Sequence, residues 1–400
     1  MSGFIATQPD PPAFDGLRVA VVHDWFQGYH GSERVVEAIA DGVFASAACV
    51  DIFTFSAADA VIPPRLAARI VKRSRLAGLP GLRQRGHSPG RWRVLLPLMP
   101  RYFRQLDLSG YDIVVASSHS CALHARPGPG AAHVCYSHTP MRYAWLSDVD
   151  GRRLAGIQGR ALGALSGWLR RIDHQAAQRI DSFVANSSAV AERIRMFYGR
   201  DAVVIFPPVD IDDFPVSGTR DRDRFLWAHR MVAYKRPLEV MEAFRGSQLR
   251  LTMIGVGPLL DEVRARRPSN VDVHGWLDRA AFTAEYARAG AFIHIGEEDF
   301  GITMVEALAA GLPVIALDRG GARDIVRDGI DGVLIDAPTS GCLGEAIAVV
   351  RARAWDQTAL RERAEHFSRD RFVARFADHV ADVRAGTSQG DGGLRSGREG

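Results

Sequence analysis

The feature that most constrains this chain is a regular alternation of short apolar runs with amphipathic stretches. The apolar runs fall near 17–23 (LRVAVVH), 48–54, 112–116, 132–136 and 182–185. They recur near 225–229, 250–255, 271–274, 291–295, 313–317 and 332–335. Helical patterns lie between most of them, such as 32–44, where Val35, Val36, Ile39 and Val43 share one face. A strand that is apolar on both faces has to be covered on both, and helices crossing back over a parallel sheet do this. The pattern therefore predicts βαβ units throughout and the α/β class.

The alternation breaks after Phe206. Residues 207–224 (PPVDIDDFPVSGTRDRDR) mix prolines with charges and read as a connector. Two doubly wound, Rossmann-like domains are expected, 17–206 and 225–369, with a cleft between them and ligands outside the carboxyl ends of the strands. The segment 1–16 is expected to be flexible, and the glycine-rich end, 385–400, disordered.

Composition narrows the function. With 47% hydrophobic and 24% charged residues, the chain is neither collagen-like nor mainly disordered. No apolar run approaches the length of a membrane-spanning helix. The start, MSGFIATQPDPPAF, lacks the basic and apolar regions of a secretory signal. Cys49, Cys121, Cys135 and Cys342 are scattered, which argues against a zinc site or a disulfide framework and fits a reducing cytoplasm. The net charge of +4 is unevenly spread, because no acidic residue lies between Asp59 and Asp107. That stretch interleaves Arg65, Arg69, Lys72, Arg73, Arg75, Arg101 and Arg104 with Leu79, Trp92, Leu95, Leu98 and Tyr102. Such a mixture suits peripheral contact of 65–104 with an anionic membrane face or a lipid phosphate. No nucleic-acid-binding module is present, so nucleic acid is not an expected partner.

The densest chemical signal is EDFGITMVE, Glu298 to Glu306, where a strand gives way to a helix. Unpaired N–H groups at a helix start favour phosphate, and Gly301 allows close backbone approach. Glu298 is placed to accept hydrogen bonds from sugar hydroxyls. Glu306 reads equally as a ligand or, with Thr303, as half of a capping box. A second signal, HRMVAYKR, puts Arg230 and Lys235 just past another strand, where a guanidinium and an ammonium can hold phosphate. Gly28 and Gly31 mark a tight loop after the first strand, and His138 follows the strand at 132–136. The spacings at Gly28 and at Gly255-Val256-Gly257 do not make a dinucleotide fingerprint, which disfavours a nicotinamide cofactor. D-x-D pairs at Asp148/Asp150, Asp210/Asp212 and Asp221/Asp223 lie in loop sequence and are weak metal candidates.

Taken together, HDWFQGYHGSERVVE, LLPLMPRYFRQLDLSGYD, VCYSHTPMRYAW, RMVAYKRP and EEDFGITMVEALAAGLPVIA resemble the retaining GT-B glycosyltransferases of family 4. Within that family the chain looks most like bacterial mannosyltransferases of O-antigen and exopolysaccharide assembly. The resemblance implies a nucleotide-sugar donor, GDP-mannose, with a UDP-sugar such as UDP-glucose as the alternative, and no metal or other cofactor. It implies that Arg230 and Lys235 bind the donor diphosphate, Glu298 the transferred sugar and Glu306 the ribose. Backbone amides at Phe300, Gly301, Ile302 and Thr303 would meet the sugar and phosphate. His138 would lie beside the sugar, and Gly31 would let the diphosphate approach. The acceptor implied is a glycan, carried on a lipid diphosphate. A last helix, 370–384, would cross back onto the first domain.

Overall fold

A computed structural model of the chain describes residues 14–58, 60, 62–79, 91–146, 156–216, 218 and 220–392. The chain forms two compact units. One takes in the chain up to Asn186, Val190–Ile205 and the chain from Phe372. The other takes in Ser187–Ala189 and Phe206–Arg371.

The first unit is built on a parallel sheet of β1 (Arg18–Phe26), β2 (Cys49–Ala57), β3 (Ile70–Arg73), β4 (Ile113–Ser118), β5 (Ala132–Ser137), β6 (Ser182–Ala185) and β7 (Ala202–Val204), in the order β3-β2-β1-β4-β5-β6-β7. β4 and β5 are buried along their whole length, as their unbroken apolar character predicts. The sequence pattern misses the two edge strands. IVKR and AVV are only four and three residues long, too short to give a strand pattern. The helix expected over 32–44 is α-helical over Gly31–Glu37 and continues as a π-turn over Ala38–Val43.

The second unit repeats the plan with β8 (Asp221–Ala228), β9 (Arg250–Ile254), β10 (Val271–His274), β11 (Ala289–His294), β12 (Val314–Leu317) and β13 (Gly332–Ile335), in the order β10-β9-β8-β11-β12-β13. In both sheets the strands added after the first lie on one side and later ones on the other. The reversal falls between β1 and β4 and between β8 and β11. Connections leave such a neighbouring pair in opposite directions, which leaves a crevice at the carboxyl ends of the two strands.

The stretch 207–224 is packed rather than a free connector. Val209, Ile211 and Phe214 are buried in the second unit's core. Asp210 and Asp212 pair with Arg369 and Arg361, and Asp223, at the start of β8, pairs with Arg351. Arginine partners distant in sequence turn a polar, proline-rich segment into part of the domain. The same pairings use up two of the D-x-D candidates. The third, Asp148/Asp150, lies outside the described residues, as does the segment 1–13.

The last helix, Arg369–Gly392, runs well past the expected end at 384 and includes the first part of the expected tail. Phe372, Phe376, Ala377 and Val380 join Val19, Val36, Ile39 and Tyr136 in the first unit's core. Phe372 and Phe376 meet the Tyr136 ring edge-on at 5.8 and 5.9 Å, and His379 hydrogen-bonds Ser182 at 2.9 Å. Replacing the fully buried Phe376 by Ala leaves a cavity and should cost about 3–5 kcal/mol. This should show as a lower urea midpoint for the first unit. A shift worth less than about 1 kcal/mol would mean that this helix does not stabilise the core.

Candidate functional site

Eight of the ten residues singled out in the sequence belong to the second unit, and they gather around the β8/β11 switch point. β8 delivers His229 and Arg230, and the following turn, Ala233–Lys235, delivers Lys235. β11 ends at His294 and leads through Glu298 into the helix Ile302–Ala309. Two elements distant in sequence thus converge because their strands are hydrogen-bonded neighbours.

Lys235 is buried and pairs with Glu298, which is partly exposed. A desolvated ion pair contributes little net stability, but loss of either partner leaves the other uncompensated, so each side chain fixes the other. Arg230 is exposed in the same loop. Arg236, next to Lys235, has φ of 57° and is the only non-glycine among the described residues in the left-handed region. Strain of this kind persists only where the surroundings impose it. Here Pro237 begins the next helix directly after it.

Two imidazoles wall the ion pair. His229 and His294 stack edge-on with centroids 4.7 Å apart. Burial, with the Lys235 ammonium nearby, holds both well below their ordinary pKa, so both are neutral near pH 7. His229 Nε2 lies 3.3 Å from the Ile293 carbonyl, which can only accept, so Nε2 carries the proton. Nδ1 then accepts from the Thr303 hydroxyl at 3.3 Å. The ligand atoms of His229, His294 and Glu298 all lie within 4.8 Å of one another.

Gly301 caps the helix Ile302–Ala309 at φ of 101°, where a side chain would strike the Met304 methyl. Of the two readings of Glu306, the capping box with Thr303 does not form. Gly301 is the cap, Thr303 turns to His229, and Glu306 lies a turn further in. Glu306 is buried and accepts from the Tyr286 hydroxyl at 3.4 Å. The Phe300 ring packs into the core against Phe206 and Phe367, so only its backbone faces the helix start. Gly255, after β9, has φ of 149°, and a Cβ there would collide with the His229 carbonyl oxygen. The glycine turn that makes no dinucleotide fingerprint therefore serves to seat the His229–Met231 loop, bonded through Met231 N to Val256 O at 3.0 Å.

Gly31 and His138 belong to the first unit. Gly31 opens the helix Gly31–Glu37, and the N-cap is His30. The His30 backbone N–H donates to the Glu33 carboxylate at 3.1 Å. His138 Nε2 and Ser117 Oγ are 2.8 Å apart, and His23 Nδ1 is 3.1 Å from the same hydroxyl. Asp24, on β1, accepts backbone N–H bonds from His119, Ser120, Cys121 and Ala122 at 2.6–2.9 Å, clamping the turn after β4. His23, Asp24, Ser117 and His119 were not assigned from sequence. Asp24 and His23 sit inside a strand motif, where nothing local marks a carboxylate as a clamp for amides a hundred residues away.

Family models match both halves of the chain. Residues 29–213 match "Glycosyltransferase Family 4" and residues 210–367 match "Glycosyl transferases group 1". Each half of the chain is thus similar to a glycosyltransferase domain family, and the fold is GT-B. The GDP-mannose-dependent alpha-mannosyltransferase of Mycolicibacterium smegmatis is 30% identical over 249 residues, 59% of this chain and 64% of that protein. The D-inositol 3-phosphate glycosyltransferase of Geodermatophilus obscurus is 29% identical over 235 residues, 50% of this chain and 52% of that protein. The chain thus spans between half and two thirds of the length of these relatives. HepE of Anabaena, solved in complex with UDP, has the same fold, with a TM-score of 0.65 and 17% identity over 92% of this chain and 100% of that one.

His23 offers a pH test. Burial, helped by His119, lowers it from 6.5 to about 4. The unfolded chain therefore binds the proton more readily, and stability is complete above pH 6.5 and falls as pH drops toward 4. At pH 5 the loss is about 2 kcal/mol for this one group. The urea midpoint of the first unit should fall less between pH 7.5 and 5 in His23→Phe than in the parent. Equal slopes would show that His23 is not held neutral.

Proposed function

We propose that the protein is a retaining, metal-independent hexosyltransferase that moves mannose from GDP-mannose to a glycan acceptor. The observation that carries this reading is the convergence of Arg230, Lys235 and Glu298 at one switch point, beside a helix start opened by Gly301. In this reading Arg230, Lys235 and the amides from Phe300 to Thr303 hold the donor diphosphate. Negative charge builds on the bridging oxygen as the diphosphate leaves, and fixed positive charge there lowers the barrier by about 3–4 kcal/mol. That is the work a metal would otherwise do. Glu298, held by Lys235, orients hydroxyls of the transferred sugar. Glu306, steered by Tyr286, takes the ribose hydroxyls. His138 is assigned to the sugar and Gly31 to the diphosphate. Retention follows if the acceptor hydroxyl attacks from the face that the diphosphate leaves and gives its proton to the leaving phosphate. The mannose donor draws its support from the mycobacterial relative.

The acceptor proposed is a lipid-diphosphate-linked glycan reached from a membrane surface. Val71, Leu76, Leu79, Val94 and Leu98 are exposed in the basic stretch 65–104. Arg104 is lowered by burial and by the neighbouring Arg126 and Arg179, a concentration of positive charge. Arg65 and Arg69 contribute less, since Glu37 and Asp41 already pair with them. Among the described residues no helix is long and apolar enough to cross a membrane, so contact of this kind would be peripheral.

Arg230→Ala should lower turnover by about two decades without changing the melting temperature, because the side chain is exposed. Near-parental turnover would remove Arg230 from the diphosphate site. GDP and GDP-mannose, without added metal, should raise the melting temperature, by about 2.7 kcal/mol of stability at 100 times the dissociation constant. Stabilisation by UDP and UDP-glucose instead would replace the donor and keep the mechanism. Vesicles containing anionic lipid should pellet the protein in low salt, and neutral vesicles should not. Equal pelleting would exclude the basic stretch as the membrane contact.

A further inference from the structure

We propose that His229, His294 and Glu298 form a binding site for a divalent transition-metal ion of the zinc type, and that the ion inhibits the protein by displacing Lys235 from Glu298. Two imidazoles and one carboxylate, with one position left open, are a ligand set that zinc accepts. Their ligand atoms already lie within 4.8 Å of one another. His294 Nε2 is 3.9 Å from Glu298 Oε1. Both ring nitrogens of His294 are buried without a well-formed hydrogen bond, and Glu298 Oε1 is buried as well. Poorly partnered buried imidazole nitrogens are costly, and a bound cation would satisfy them together with the carboxylate that Lys235 now holds.

His229 is prepared in the way that metal-ligating histidines are. Its Nε2–H is directed at the Ile293 carbonyl, which fixes the ring and leaves the Nδ1 lone pair for an ion. The competing partners are the Thr303 hydroxyl at 3.3 Å from Nδ1 and the Lys235 ammonium at Glu298. An ion entering here has to push both aside, so metal and donor binding would exclude each other. The inhibitory half of this proposal rests on the assignment of Lys235 and Glu298 to the donor. The metal site itself does not.

The test is calorimetric titration of the full chain with Zn2+ alone, alongside the visible absorption of the Co2+-substituted protein. No nucleotide sugar is present, so the result is independent of any transferase assay. One ion should bind with micromolar affinity, and the Co2+ form should show the intense absorption of four-coordinate cobalt. His294→Gln and Glu298→Gln should each weaken binding at least tenfold. Lys235→Ala should tighten it at least tenfold, since it removes the competing charge. Glu298 is partly exposed, so Glu298→Gln keeps the test open should His294→Gln fail to fold. Absence of Zn2+ binding up to millimolar concentration overturns the proposal, as does unchanged affinity in both ligand variants. If Zn2+ binds as expected and leaves sugar transfer unaffected, the displacement of Lys235 is overturned and the site stands.

Discussion

Hydrogen bonding between β8 and β11 is the constraint on which the rest of the candidate site depends. It holds the residues after two strands, some sixty positions apart in the chain, at one edge of one sheet. The order of strands reverses there, so no connection covers the crevice. Arg230 and Lys235 arrive from one side, and Glu298 with the helix start at Gly301 from the other. Without that pairing none of the charges would meet.

Electrostatics then sorts the residues. The buried Lys235 ammonium requires a carboxylate, and Glu298 supplies it. Burial, with the same ammonium nearby, keeps His229 and His294 neutral. On the proposed readings a phosphate would use the charges of this site and a zinc-type ion its lone pairs, so the two would compete. The first unit solves a different problem at its own switch point. There Asp24 ties four amides of the turn after β4 to β1 and so fixes the surroundings of His119 and His138.

Much of this was legible in the residues. Strands with unbroken apolar runs, such as IVVASS and AFIHI, were readable because burial on both faces leaves a contiguous signature. Lys235 and Glu298 were readable as candidates because they lie in the loops that follow such strands. IVKR and AVV were not, because runs of four and three residues are too short to show a period. The stretch 207–224 was misjudged for a related reason. Its prolines and charges look like a linker, yet Arg361 and Arg369 neutralise its aspartates while Val209 and Phe214 enter the core.

The sequence by itself determined the class of fold and the chemistry available, because periodicity and residue type are local properties. It fixed the α/β plan, the cations after β8, the acidic-glycine motif before a helix, and the basic stretch 65–104. Tertiary structure decided which of these groups meet and in what state. Only the folded chain pairs Lys235 with Glu298, replaces the Thr303–Glu306 capping box by a Gly301 cap, and turns Thr303 toward His229. Proximity between distant segments, and the desolvation that sets their charges, are set by packing, and no local pattern encodes them.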